Sequence, residues 1–205
     1  MVIRALDWAV LRADLAASSP VEWLATFLGI AYVLLILRRK RLGWIAGGIS
    51  SVILTVLAAR SRLPMQALLQ FSYVLLAGYG WWHWSREGGT PRPVGTWPLT
   101  RHVAMIAACV AASLLLAPLL RGTGASDWPF TDSLIAFLGL FASWLTAQMK
   151  LENWLYWIAI DLASLYLYTV QGLPVIALMF LVYFVLSVTG FISWWRQYRL
   201  SVRMP

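Results

Sequence analysis

One stretch of this sequence concentrates the groups that could do chemistry. Trp154, Trp157, Asp161, Ser164 and Tyr168 recur at spacings of three and four, with Asn153 at their head. At about 100° per residue these side chains share one helix face, while Leu155, Ile160 and Leu162 take the other. Two indoles one turn from a carboxylate, with hydroxyls beyond, can stack a flat ring and hydrogen-bond its substituents. A cationic ring would be drawn both to the π faces and to Asp161. Packing is the competing role, because Trp anchors helices at membrane interfaces and a single Asp can pair with a neighbouring helix.

A second polar stripe runs through Gln66, Gln70, Tyr73, Ala77, Gly80 and Trp81, and its counterpart near the C-terminus holds Tyr183, Ser187 and Gly190. Gln70 is both donor and acceptor, which suits an amide or a sugar hydroxyl, although such residues also bond across helices. The candidate substrate contacts are therefore Asn153, Trp154, Trp157, Asp161, Ser164, Gln70, Tyr73 and Tyr183. Ser50, Ser51 and Thr55 suit the lining of another helix, where hydroxyls can also bond their own backbone. Gly43, Gly47 and Gly48 suit close helix packing. Nothing points to a cofactor: no glycine-rich loop leads into Lys-Ser/Thr, and His83 and His102 have no Cys, Asp or Glu at ligand spacing. No catalytic set is legible, and no enzyme activity is expected.

The elements that must position these groups follow from composition. Of 205 residues, 61% are hydrophobic and 12% charged, against roughly 45–50% and 25% in soluble domains. A soluble globule cannot enclose that much apolar surface, so the chain reads as an all-α polytopic membrane protein with the lipid bilayer as partner. Thirteen Trp and eight Tyr fit interfacial anchoring. The charge of +8 clusters beside apolar runs, the pattern of an oriented membrane protein, so nucleic acid is not expected as a partner. Cys109 is the single cysteine, which excludes an intrachain disulfide, and its apolar surroundings suggest inert packing. No cleavable signal peptide is expected, because Arg4, Asp7, Arg12 and Asp14 interrupt the first apolar stretch.

Seven spans are expected, near 21–37, 42–59, 63–84, 102–120, 130–149, 152–171 and 173–195, with residues 1–20 as an amphipathic surface segment. Asp127, Thr131 and Asp132 look like the start of the fifth. With the N-terminus outside, the inner segments hold eleven Lys and Arg and the outer ones five. That bias predicts N-out, C-in.

The chain also repeats itself. Shifted by 110 residues, 22–84 aligns without a gap on 132–194, and 16 of the 63 pairs are identical. Setting the cheap leucine matches aside leaves Phe27/Phe137, Gly29/Gly139, Lys40/Lys150, Trp44/Trp154, Pro64/Pro174, Ala67/Ala177, Tyr73/Tyr183, Gly80/Gly190 and Trp84/Trp194. The expected organisation is 1–20 surface segment, 21–84 first three-helix repeat, 85–129 linker with one helix, 130–195 second repeat and 196–205 cytoplasmic tail. One linking span lets the second copy enter from the same side as the first, so the copies are parallel with a path between them. That arrangement points to a transporter; a duplicated scaffold without a pathway, or a small intramembrane enzyme, is the alternative of a different class.

Three motifs carry a family resemblance. They are Leu151-Glu152-Asn153-Trp154-Leu155-Tyr156-Trp157 continuing to Asp161 and Gln171-Gly172, then Leu68-Leu69-Gln70 followed by Tyr79-Gly80-Trp81, and Pro129-Phe130-x-Asp132-Ser133. In order and spacing they resemble the Pnu family of bacterial vitamin transporters, across most of residues 21–195. Trp154, Trp157 and Asp161 match that family's Trp-x-x-Trp-x-x-x-Asn/Asp pattern. The resemblance implies a seven-helix 3+1+3 fold like a full-length SWEET transporter, a homotrimer in the bacterial inner membrane, and facilitated uptake of a vitamin that a cytoplasmic kinase then traps. Nicotinamide riboside, a precursor of NAD, is the first expected substrate, with thiamine or riboflavin as alternatives. Ser50 and Ala77 depart from the Asn found in some nicotinamide riboside carriers, and Asp161 suits a cationic ring.

Overall fold

The structure is a computed structural model and describes Arg12, Ala16 and residues 19–86, 93–123 and 128–203. Seven helices appear among them: α1 (Pro20–Leu37), α2 (Leu42–Arg60), α3 (Pro64–Ser85), α4 (Leu99–Thr123), α5 (Pro129–Ala147), α6 (Asn153–Val170) and α7 (Pro174–Arg203). Four of them begin at proline, whose fixed φ suits a first turn and whose missing N–H is not needed there. Ser19 caps α1 in a reciprocal box: its hydroxyl accepts from the Glu22 N–H at 3.3 Å, and its own N–H donates to the Glu22 carboxylate at 2.7 Å.

The tight turns repeat as the sequence does. Arg39 and Met149 both adopt φ 54°, and Arg62 and Gly172 take φ 57° and 73°. At each of these left-handed residues the next N–H reaches back to a carbonyl of the helix just ended. Lys40 donates to Leu35 O at 2.8 Å and Lys150 to Leu145 O at 3.0 Å; Leu63 donates to Ala58 O at 2.9 Å and Leu173 to Tyr168 O at 3.0 Å. These satisfy the carbonyls a helix end leaves open. Both pairs of turns stand 110 residues apart (149 − 39 and 172 − 62).

Packing closes six helices into a ring, α1–α2–α3–α5–α6–α7 and back to α1, with α4 outside against α5. Under the same offset the α3–α5 contact maps onto α7–α1, so the two triplets meet through two equivalent seams. Each seam is tied by an indole. Trp84 Nε1 donates to Ala147 O at 2.9 Å, and Trp194 Nε1 to Leu37 O at 3.2 Å. Behind these ties, Trp44 meets Trp84 edge-on at 5.5 Å and 89°, and Trp154 meets Trp194 at 5.5 Å and 86°. The fold is thus a 3+1+3 arrangement of parallel repeats.

Among the described residues, five helices are long and apolar enough to cross a bilayer: α1, α2, α4, α5 and α7. The other two, α3 and α6, carry the polar stripes, which lower their apolarity. Their 22 and 18 residues still reach about 33 and 27 Å, close to the thickness of a hydrocarbon core.

Several details differ from expectation. α7 runs on to Arg203 rather than ending near 195, and α4 extends to 99–123 with Pro118 inside it. Pro20 already belongs to α1, and most of 1–18 lies outside the described residues. α5 starts from Trp128 and Pro129, so Thr131 and Asp132 sit within its first turn rather than before it; Asp127 lies outside the described residues. His102 does have an acidic neighbour. The turn between α5 and α6 brings Glu152 to 3.6 Å from its Nε2, and Nδ1 lies 3.0 Å from the Tyr156 hydroxyl. The same carboxylate accepts the Trp97 N–H at 2.7 Å, and Gly95 exchanges backbone bonds with Met149 and Leu151 at 3.0 and 2.9 Å. The linker is therefore strapped to the second triplet. Cys109 is buried with Phe141 and Leu145 between α4 and α5, as packing.

Candidate functional site

Inside the ring lies a cavity of about 240 Å³, lined by residues of α1, α2, α3, α5, α6 and α7 and by none of α4. α6 provides its richest wall with Asn153, Trp154, Trp157 and Asp161, in the order helical spacing demands. Asn153 is fully buried and held at both ends of its amide: Oδ1 accepts from Thr146 Oγ1 at 3.1 Å, and Nδ2 donates to Lys150 O at 2.5 Å. Trp154 lies flat on Gly190, where an added Cβ would stand 2.5 Å from its ring. Glycine is required there because the helices approach too closely for any side chain.

Asp161 is 2% exposed and accepts from the Ser187 hydroxyl at 2.8 Å. Among the described residues no Lys or Arg forms an ion pair with it. A carboxyl at this depth is held by one neutral hydrogen bond, so its charge is left for a proton or a cationic ligand to balance. Tyr73 and Tyr183 reach across the two seams. The Tyr183 hydroxyl stands over Gly29 and that of Tyr73 over Gly139, 2.7 and 2.5 Å from where a Cβ would be. The far edge of Trp157 also comes to 3.8 Å from the Gly139 position.

Six of the eight candidate contacts line this cavity: Asn153, Trp154, Trp157, Asp161, Tyr73 and Tyr183. Gln70 and Ser164 do not. Gln70 stands aside, and its repeat mate Phe180 lines the wall on the other half. Ser164 is 1% exposed, off the cavity wall, and its hydroxyl has no hydrogen-bond partner among the described residues.

Comparison with known proteins decides the identity. The sequence profile of the nicotinamide mononucleotide transporter family matches residues 19–196. The chain belongs to that family. It is 24% identical over 97% of its length to the riboflavin/roseoflavin transporter RibM of Streptomyces davaonensis, covering 96% of that protein. It is 21% identical over 85% of its length to the nicotinamide riboside transporter PnuC of Escherichia coli, covering 84% of it. The crystal structure of the vitamin B3 transporter PnuC has the same fold, with a TM-score of 0.73 at 19% identity, over 97% of this chain and 90% of that one. The molecule is a multi-pass membrane transporter of the Pnu type, and its relatives are transporters rather than enzymes.

Within this family frame the cavity has residues that helical spacing alone did not single out: Tyr32, Trp44, Ser143, Thr146 and Phe180. The repeat held the signal for one of them, since Trp44 is the mate of Trp154. It also shows how the halves diverge. Where the second copy has Asp161 and Ser187, the first has Ser51 and Ala77 (161 − 51 and 187 − 77 are both 110). Charge therefore sits on one side of a nearly twofold cavity.

Proposed function

We propose that the protein carries out facilitated uptake of nicotinamide riboside for NAD synthesis, with a cytoplasmic kinase trapping the vitamin after entry. One observation carries this reading: Trp157, Trp154 and the unpaired carboxylate of Asp161 face a single cavity between the two triplets. The cationic pyridinium ring of nicotinamide riboside gains from both the indoles and the carboxylate. The tyrosine hydroxyls and Ser51 supply donors and acceptors for a sugar, and Ser50 and Thr146, whose own protons go to Ala25 O and Asn153 Oδ1, supply acceptors. A cavity of about 240 Å³ lies under the usual range for larger ligands, which favours a vitamin without a large fused ring system. The proposed setting is the bacterial inner membrane, N-terminus outside and C-terminus cytoplasmic, as a homotrimer.

A second reading has its own support. Thiamine is also cationic and would use Asp161, while the kinship with RibM supports riboflavin. Purified protein in sealed vesicles separates these. Entry of unchanged nicotinamide riboside down its gradient, unaffected by an imposed proton or sodium gradient, is the expected result. Accumulation driven by either ion would refute facilitated diffusion, and entry of thiamine or riboflavin alone would refute the substrate. A chemically altered solute would point to an enzyme.

A further inference from the structure

The two triplets fill the same space in opposite ways. In the second, position 157 is Trp and position 142 is Ala; their mates in the first, 110 residues earlier, are Gly47 and Tyr32. The large ring thus comes from the middle helix (α6) in one copy and from the first helix (α1) in the other. Contacts show the first triplet's half of this exchange. The Tyr32 ring lies on Gly47, where a Cβ would stand 2.7 Å from Cδ2 and 3.0 Å from Cγ. It packs edge-on against Trp44 at 5.7 Å and 61°. Ala142, at the mirrored place, is fully buried. Tyr32 and Trp157 both line the cavity, one from each triplet.

Resting on the transport reading above, we propose that Tyr32 is the second aromatic wall of the substrate cavity and sets the width of ring system it accepts. An aromatic ligand held between helices gains from a surface on each side, and Trp157 supplies only one. Opposite it, the other large aromatic that has taken the place of its mate is Tyr32. Because that ring lies on a glycine, nothing behind it yields, and the gap between the walls is fixed by the backbone of α2. Removing the ring opens the cavity on the side away from Asp161. A narrow pyridinium then loses its second face, while a three-ring isoalloxazine finds room.

The test is calorimetric binding of nicotinamide riboside, thiamine and riboflavin to the purified full chain, with thermal stability measured on each variant. Tyr32→Ala should weaken nicotinamide riboside about tenfold or more, the worth of one stacking face, and raise the affinity for riboflavin relative to it. Tyr32→Phe should keep the wild-type order of preference. The double variant Tyr32→Ala with Gly47→Trp copies the second triplet's arrangement, Gly29 being the mate of the Gly139 that Trp157 reaches. It should recover the affinity for nicotinamide riboside and lose the gain for riboflavin. A role in packing alone would change stability and leave the ratio of affinities where it was; that result overturns the proposal while the transport reading stands. Wild-type protein that binds none of the three overturns that reading, and the proposal with it.

Discussion

Placing a methyl on Gly190 tests whether the wall at Trp154 is set by helix contact. The added carbon would lie 2.5 Å from Cε3 and Cζ3 of Trp154 and 2.6 Å from Cη2. Carbon atoms settle at about 3.5–4.0 Å, so the ring must move by about 1 Å or the helices must part. The ring cannot retreat freely, because Trp194 meets it edge-on at 5.5 Å. Overpacking of this kind costs about 1–3 kcal/mol, and the better helix propensity of Ala offsets up to about 1 kcal/mol of it. At the middle of that range the net loss is about 1 kcal/mol, or roughly 2–4 °C in melting temperature for a chain of this length. Gly80→Ala makes the same intrusion on Trp44, whose Cδ2 and Cε2 it would strike, so its stability loss should match. Affinity should not match. Trp154 stands beside Trp157 and Asp161 on α6, whereas Trp44 stands beside Gly47 and Ser51 and backs the Tyr32 ring only edge-on, at 5.7 Å. Gly190→Ala should weaken vitamin binding by up to about tenfold, because the displaced Trp154 ring disturbs the wall it shares with Trp157 and Asp161, and Gly80→Ala clearly less. Thermal unfolding in detergent with calorimetric binding reads both quantities. Equal affinity losses would refute the assignment of the ligand to the α6 side, and unaltered stability would refute the packing argument.

Trp157→Ala should leave the fold intact and weaken the preferred vitamin about tenfold to a hundredfold by calorimetry. Asp161→Asn keeps the shape and the Ser187 contact but removes the charge, so cationic vitamins should bind more weakly and a neutral one nearly unchanged. Trp84→Phe and Trp194→Phe each remove one indole bond across a seam; each should cost about 1 kcal/mol of stability, with similar shifts in melting temperature. A reporter fused after Pro205 should read cytoplasmic, and a periplasmic signal would overturn the charge-based orientation.

The helices were legible because their ends are written in local chemistry. Pro20, Pro64, Pro129 and Pro174 open four of them, and the repeat identities Lys40/Lys150 and Pro64/Pro174 bracket the turns. The α6 stripe was legible for the same reason: Asn153, Trp154, Trp157 and Asp161 obey one helical period, and that period alone puts them on one wall. Periodicity does not say which edge of a stripe faces inward, so Gln70 was placed with Tyr73 although only the tyrosine reaches the cavity. Ser164 continues the α6 stripe past the end of the wall. His102 and Glu152 stand 50 residues apart and meet only because the linker pairs with the α5–α6 turn, which no local spacing encodes. Tyr32 was hidden because its role lies in a swap between copies, and an ungapped comparison scores a Tyr/Ala mismatch as mere divergence.

The distribution of matches and mismatches between the copies has a physical sense. Residues that are the same in both, Gly29/Gly139, Trp44/Trp154, Tyr73/Tyr183, Gly80/Gly190 and Trp84/Trp194, make contacts that repeat in pairs: indole on glycine, indole edge on indole, indole N–H across a seam, hydroxyl over glycine. Paired contacts of the same kind hold the two triplets together at both seams, so each triplet is tied to the other by the devices its mate also has. Tyr32/Ala142, Gly47/Trp157, Ser51/Asp161 and Ala77/Ser187 differ, and at least one member of each pair lines the cavity. A vitamin has no twofold axis, so a symmetric cavity would offer it two equal and mediocre poses. Placing the carboxylate on one side and taking the aromatic walls from different helices removes that degeneracy. On this reading, duplication supplied the frame, and divergence within the cavity supplied recognition.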